Sequence, residues 1–205
     1  MGQASRPVSY GVSLCYKCVL TYYERHLPHW QPEDAALFIT WHLLGSLPKT
    51  VEISPPGKAF EAMDRELDRA AIGPRWLLED RVAQYVADAI QYGARNLALY
   101  ELRAWVLMAN HVHILIYPSA NLSRITKSIK NFSARRANAI LGLTGQPFWQ
   151  DESYDHWVRG PEELEKTVQY IEENPVSARL VKRVEDWRWS SAFLWDRPPG
   201  LSKLA

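Results

Sequence analysis

Apolar residues fall along this chain into short β-like runs and helical stripes. Leu37 to Leu47 (Leu-Phe-Ile-Thr-Trp-His-Leu-Leu-Gly-Ser-Leu) is rich in β-formers, ends in turn residues and reads as a strand. Pro48 to Pro74 is polar and broken by Pro55, Pro56 and Gly57, with a short helix over Lys58 to Ala71 where Phe60, Met63 and Leu67 recur at helical spacing. Glu79 to Arg95 gives a stronger helix, with Val82, Tyr85, Val86, Ala89 and Ile90 on one stripe, Gly93 near its end and Arg95 suited to the C-terminal dipole. Leu97 to Met108 and His111 to Tyr117 read as two strands joined tightly through Ala109-Asn110. Leu122 to Leu141 is a second long helix, capped by Asn121 or Ser123, with Leu122, Ile125, Ile129, Phe132 and Ile140 on its buried side. Phe148 to Val158 reads as a fourth strand, and Gly160-Pro161 opens a third helix that Pro175 stops at Asn174. Residues 1–36, with Pro7, Pro28 and Pro32 and little periodicity, read as an extended arm.

The order β-α-β-β-α-β followed by a helix is the ferredoxin-like, split βαβ arrangement, an α+β fold with an antiparallel sheet. It divides the chain into an arm at 1–36, one domain at 37–192 with 48–78 as an inserted loop and short helix, and a tail at 193–205. Many unrelated proteins share this fold, so function has to come from particular side chains.

Composition narrows the class. The chain has 205 residues, 47% hydrophobic and 23% charged, as expected of a globular protein with a real core. No apolar run approaches the roughly 18 residues that span a bilayer, and no signal-peptide segment follows the N-terminus, so the expectation is a cytoplasmic protein with no membrane partner. Cys15 and Cys18 lack a second Cys-x-x-Cys and read as two incidental thiols. Net charge is only +1, but from Asn121 to Gln150 there are five basic residues (Arg124, Lys127, Lys130, Arg135, Arg136) and no acidic one. Acids concentrate instead at Glu61 to Asp68 and Glu162 to Glu173. An unbalanced basic segment favours a phosphate-binding surface over a merely solvated helix face.

His111 and His113 flank one valine inside an apolar strand, and residues i and i+2 of a strand share a face. Two neutral imidazoles side by side make half of a divalent-ion site. Alone, the pair is more often structural than functional. Four residues apart on the last helix, Tyr170 and Asn174 share a face as well. A metal held by two imidazoles and one amide oxygen keeps positions open for a phosphate oxygen and withdraws charge from it. A phenol one turn away is placed to attack that phosphorus and split one hard transfer into two easier ones, although its ordinary pKa of about 10 is a handicap that a neighbour must offset. His42 and His156 read as hydrogen-bonded strand histidines, and Tyr154 is a rival nucleophile without a ligand-type partner at helical spacing.

Met108-Ala-Asn-His-Val-His113, Gly145-Gln-Pro-Phe-Trp-Gln-Asp-Glu-Ser-Tyr-Asp-His156, Tyr170-Ile-Glu-Glu-Asn-Pro-Val176 and Trp189-Ser-Ser191 together resemble the single-tyrosine HUH transposases. The closest branch is the REP-associated tyrosine transposases, of which Arg25-His-Leu-Pro-His-Trp-Gln31 and Gly45-Ser-Leu-Pro48 are also reminiscent. The resemblance covers about residues 22–192, and the ordered set of motifs is more specific than any one of them. It implies a ferredoxin-like domain that cuts and joins single-stranded DNA beside a hairpin, with a divalent ion (Mg2+ or Mn2+) and no nucleotide cofactor, as a monomer or a homodimer. Carried over, His111 and His113 are the metal-binding pair and Tyr170 is the nucleophile, forming a 5′-phosphotyrosine and leaving a free 3′ hydroxyl. Asn174 takes the place of the third ligand, with Glu173 a weaker candidate. One departure is Ala109, where the family usually has proline. Arg124, Lys127, Lys130, Arg135 and Arg136 would then contact DNA phosphates. The main alternative is a domesticated binder that grips palindromic DNA hairpins without cutting. A third reading, a metal-dependent hydrolase of small phosphoesters, needs neither Tyr170 nor the basic helix.

Overall fold

Strict alternation on one central strand decides the layering. β5 (His111–Pro118) turns Val112, Ile114 and Ile116 to one side of the sheet and His111, His113 and Leu115 to the other, and all six are buried. A strand buried on both faces needs a layer on each, and the computed structural model supplies them. It describes residues 21–24, 28–31, 35–47 and 56–193.

The sheet joins β3 (Leu37–His42), β4 (Tyr100–Leu107), β5 and β6 (Tyr154–Trp157) in the order β4-β5-β3-β6, with every pair antiparallel. This is the ferredoxin-like order. On the Val112 side lie α2 (Asp80–Arg95) and α3 (Leu122–Leu141), which bury Val82, Val86, Ile90, Leu122, Ile125 and Ile129 against Ile39, Trp41 and Ile114. On the histidine side α4 (Pro161–Ser177) packs Leu164, Val168 and Ile171 over Phe38, Val106 and Leu115. The inserted helix α1 (Pro56–Arg69) lies on this second face too, with Phe60 edge-on to Phe38 and stacked on Tyr154, ring centres 5.5 and 4.1 Å apart.

Several local expectations change. β3 ends at His42, and the chain turns at Gly45, whose φ of +83° suits glycine. The fourth strand is only Tyr154–Trp157, with Trp149 making an isolated bridge to Leu43. Between them the carbonyls of Gln150, Asp151 and Glu152 turn away from the ladder to accept from Lys130 Nζ at 2.9, 3.0 and 3.2 Å. On α3 the buried stripe passes through Ser133 and Ala137, and Phe132 is 45% exposed. Ser133 is drawn inward because its hydroxyl accepts from the Trp149 indole. Asn121, not Ser123, caps this helix by accepting from the Ser123 amide.

Pro175 does not stop α4, which continues to Ser177. A proline in the last turn forfeits one intrahelical bond, while the carbonyls of Asn174 and Pro175 still accept from Ala178 and Leu180 at 2.9 Å. Asn174 therefore stays helical, one turn beyond Tyr170. The supposed arm contains a two-stranded antiparallel ribbon, β1 (Thr21–Glu24) and β2 (Pro28–Gln31). Cys15 and Cys18 lie outside the described residues, as do 48–55 of the insertion and the tail from 194 on. At the other end, Leu107 donates to Trp189 and Ser191 to Trp105, so the closing Trp-Ser-Ser covers the free edge of β4. Among the described residues no helix is long and apolar enough to cross a membrane.

Candidate active site

β5 places His111 and His113 side by side, and α1 and α4 close over them until neither has any exposed area. Each imidazole is oriented by a polar neighbour on its Nδ1. Asn110 Oδ1 lies 2.8 Å from His111 Nδ1, and an amide oxygen only accepts, so the His111 proton belongs on Nδ1. Thr40, the cross-strand partner of His113, sets its hydroxyl 2.7 Å from His113 Nδ1 and can accept in the same way. Both Nε2 atoms are then bare, and they face each other 3.0 Å apart.

Oxygen atoms converge on that pair. Asp64 Oδ1 is 3.4 Å from His113 Nε2, and Asp68 Oδ1 is 3.5 Å from His111 Nε2. The Asn174 amide sits with Nδ2 3.5 Å from His113 Nε2, and a half-turn of the amide would present its oxygen instead. Asp64 Oδ1, Asp68 Oδ1 and Asn174 Oδ1 are all buried without a hydrogen-bond donor. Two bare imidazole nitrogens ringed by three orphaned oxygens form a donor set that fits a divalent cation. Asp64, His111 and His113 offer ligand atoms that all lie within 4.8 Å of one another.

Without a cation the same burial reshapes the titrations. Burial lowers His113 to about 3, and burial, with the His113 and His42 charges, holds His111 well below the ordinary range. Both rings are therefore neutral, as ligands must be. Burial, helped by the Asp68 charge, pushes the Asp64 carboxyl up to about 8, and burial raises Asp68 to about 6. A bound dication would reverse these shifts by favouring the carboxylates.

Tyr170 stands at the rim of the group, 37% exposed, with its ring centre 5.7 Å from that of His113. Its hydroxyl donates to Asp64 Oδ2. The structure thus brings together four of the residues singled out from sequence: His111, His113, Tyr170 and Asn174. Glu173 instead accepts from Gln169 on the surface of α4. His42 gives its Nδ1–H to the Leu43 carbonyl, and His156 pairs with Glu163, so both are hydrogen-bonded strand histidines.

The basic segment is not part of this group. α3 packs on the opposite face of the sheet, so Arg124, Lys127, Arg135 and Arg136 present their exposed side chains on the other side of the molecule. Lys130 has a different job from the phosphate contact expected of it, because its ammonium is already satisfied by three carbonyls. Arg136 lies over the Tyr85 and Phe132 rings, 5.7 Å from each centre. Lys127 borders a cleft of about 610 Å³ between α3 and the 146–153 segment.

Sequence reasoning missed Asp64, Asp68, Asn110 and Thr40. A signal for the first two was present: Asp64 interrupts the Phe60, Met63, Leu67 stripe and Asp68 follows four residues on, so an acid pair shares a helix face meant for burial.

Residues 75–174 match the family model described as Transposase IS200 like. This stretch runs from just before α2 to Asn174, so it includes His111, His113 and Tyr170 and leaves out α1. The fold is similar to that of the "REP associates tyrosine transposase bound to a REP hairpin", with a TM-score of 0.53 and 22% identity over 83% of this chain and 82% of that one. A "putative transposase from deinococcus radiodurans r1" aligns with a TM-score of 0.39 and 19% identity, covering 68% of this chain and 89% of that one. No curated protein matches.

Proposed function

We propose, for a chain whose residues 75–174 are IS200-transposase-like, that it cleaves and rejoins single-stranded DNA beside a hairpin through a 5′-phosphotyrosine on Tyr170. The observation that carries this reading is that two bare imidazole nitrogens and the Asn174 amide meet at one buried point, to which the Tyr170 hydroxyl is tied through Asp64. His111, His113 and Asn174 would hold the divalent ion, with Asp64 Oδ1 as a further ligand. When bound, such an ion acts as a Lewis acid on the scissile phosphate. The mixed nitrogen and oxygen donor set suits Mn2+ better than Mg2+, which prefers oxygen alone.

The protein's own groups do the rest. Asn110 and Thr40 lock the imidazole orientations, so the ligand nitrogens need no rearrangement when DNA arrives. α4 is rigid between Tyr170 and Asn174, which fixes the nucleophile relative to the ligand one turn on. Attack by the phenol oxygen gives the tyrosyl phosphodiester and frees a 3′ hydroxyl. That hydroxyl, or another strand's, later reverses the attack and rejoins DNA. Arg124, Lys127, Arg135 and Arg136 would hold flanking phosphates on the far face, which supplies affinity but not sequence choice.

A second reading, a hairpin binder that no longer cuts, is favoured by one observation: α1 leaves both imidazoles without exposed area. The two are separated by incubating the protein with labelled hairpin DNA and Mn2+ or Mg2+ and running a denaturing gel beside Tyr170→Phe. Cleavage predicts a covalent band that requires metal and vanishes in the variant while hairpin binding persists. Tight binding without a band under either metal would leave the non-cutting binder.

A further inference from the structure

We propose that Asp64 is a catalytic residue whose Oδ2 takes the proton of the Tyr170 hydroxyl as the phenol oxygen attacks phosphorus; this rests on the tyrosine chemistry above. Nothing in the family match bears on it, because α1 precedes the matched residues 75–174. The Tyr170 hydroxyl donates to Asp64 Oδ2 across 106 residues of sequence. The two oxygens of this carboxylate face different ways: Oδ1 looks toward His113 Nε2 at 3.4 Å, and Oδ2 holds the phenol. One side chain thereby links the ligand set to the nucleophile.

No neighbouring group is better placed. The His113 ring packs near Tyr170, but its Nδ1 faces Thr40 and its Nε2 faces His111. Asp68 lies against His111, away from the phenol. Asp64 is held in position by buried Leu67 three residues on and by Phe60 four residues back, wedged between Phe38 and Tyr154. Asp64 is 5% exposed while Tyr170 reaches the surface, so a phosphate arriving at the phenol finds the carboxyl that is to take its proton already in contact with it; a bound dication would keep that group a carboxylate.

In the forward step the phenol O–H bond breaks and its proton passes to Asp64. The phenol oxygen bonds to phosphorus, the P–O3′ bond breaks, and the departing 3′ oxygen takes a proton from water. In the rejoining step a 3′ hydroxyl attacks phosphorus and loses its proton to water. The phenol oxygen leaves and recovers its proton from Asp64.

The test uses the full chain, a hairpin substrate and saturating Mn2+, comparing wild type with Asp64→Asn and Asp64→Glu. The asparagine keeps the shape and an oxygen for the metal but cannot take the proton. Its rate of covalent adduct formation should fall by about 10²–10⁴-fold, the usual worth of a positioned base, with hairpin affinity unchanged and no recovery on adding more Mn2+. Asp64→Glu should recover part of that rate. Independently of activity, the Cζ resonance of Tyr170 in 13C-tyrosine-labelled protein, identified by its loss in Tyr170→Phe, should move in Asp64→Asn. A near wild-type rate, a rate restored by Mn2+, or an unmoved resonance overturns the proposal. A wild-type protein that forms no adduct on hairpins it binds defeats the tyrosine chemistry itself, a failure distinct from that of Asp64.

Discussion

Asn110 and Thr40 sit on the Nδ1 side of the imidazoles, and they decide which nitrogen of each ring is free for a cation. Asn110→Ala removes the acceptor that fixes the His111 tautomer, and should weaken Mn2+ binding by about 10–100-fold, the usual range for such outer partners. Calorimetric titration of the metal checks this, with far-UV circular dichroism to show that the fold persists. Asp64 gives the site a pH dependence. Its carboxyl is pushed up to about 8 by burial and then by Asp68, so the metal-free protein carries that proton at neutral pH. As a metal ligand Asp64 has to be a carboxylate, so metal binding below about pH 8 should release this proton, and apparent affinity should climb from pH 6.5 to 8 and then level. Metal-free stability runs the other way in that window. The folded state holds a proton there that the unfolded chain does not, so stability from this group falls as pH rises through 8. Melting curves with and without Mn2+ should diverge most at the alkaline end. A metal affinity that is flat with pH would remove Asp64 from the ligand set.

Lys130 shows how one long side chain can delay the start of a strand. Three carbonyls bend from the ladder to reach it, and burial lowers its ammonium to about 8, against the pull of Asp151 and Glu152. Lys130→Met strands those carbonyls and should cost about 1.5–3 kcal/mol in urea unfolding, the range for hydrogen bonds to a charged group. Arg124→Ala, at an exposed position on the same helix, should cost almost nothing. Gly93 is explained by close approach and not by helix ending: a Cβ there would lie 2.6 Å from the Tyr100 hydroxyl, which itself donates to the Ile90 carbonyl. Gly93→Ala should therefore destabilise by about 1–3 kcal/mol through overpacking. Such details mark the limit of what sequence showed. Helical periodicity located α2 and α3 almost to the residue, and the i, i+2 and i, i+4 spacings brought out His111 with His113 and Tyr170 with Asn174. Lys130, Phe132 and Pro175 were misjudged because their roles depend on partners distant in sequence or on the carbonyls of one final turn. Asp64 and Asp68 were overlooked because acids on a short helix ordinarily face water.

The described fold has two faces separated by its sheet. The candidate active site lies between α1, α4 and the histidine side, while the exposed basic residues of α3 lie on the other. A DNA strand engaging both must pass around an edge of the sheet, so its affinity and its chemistry should respond to separate mutations. Replacing Arg124 and Lys127 by alanine should lower hairpin affinity and flatten its salt dependence by about two charges, leaving Mn2+ affinity untouched. Fluorescence anisotropy across a salt series reads the first effect and metal titration the second. That Tyr170 carries the DNA covalently is checked by peptide mapping of the adduct by mass spectrometry. A 5′-phosphoryl nucleotide is expected on the peptide containing Tyr170, formed only with a divalent ion. A nucleotide mapped to Tyr154, or strand cleavage that leaves no residue modified, would contradict it.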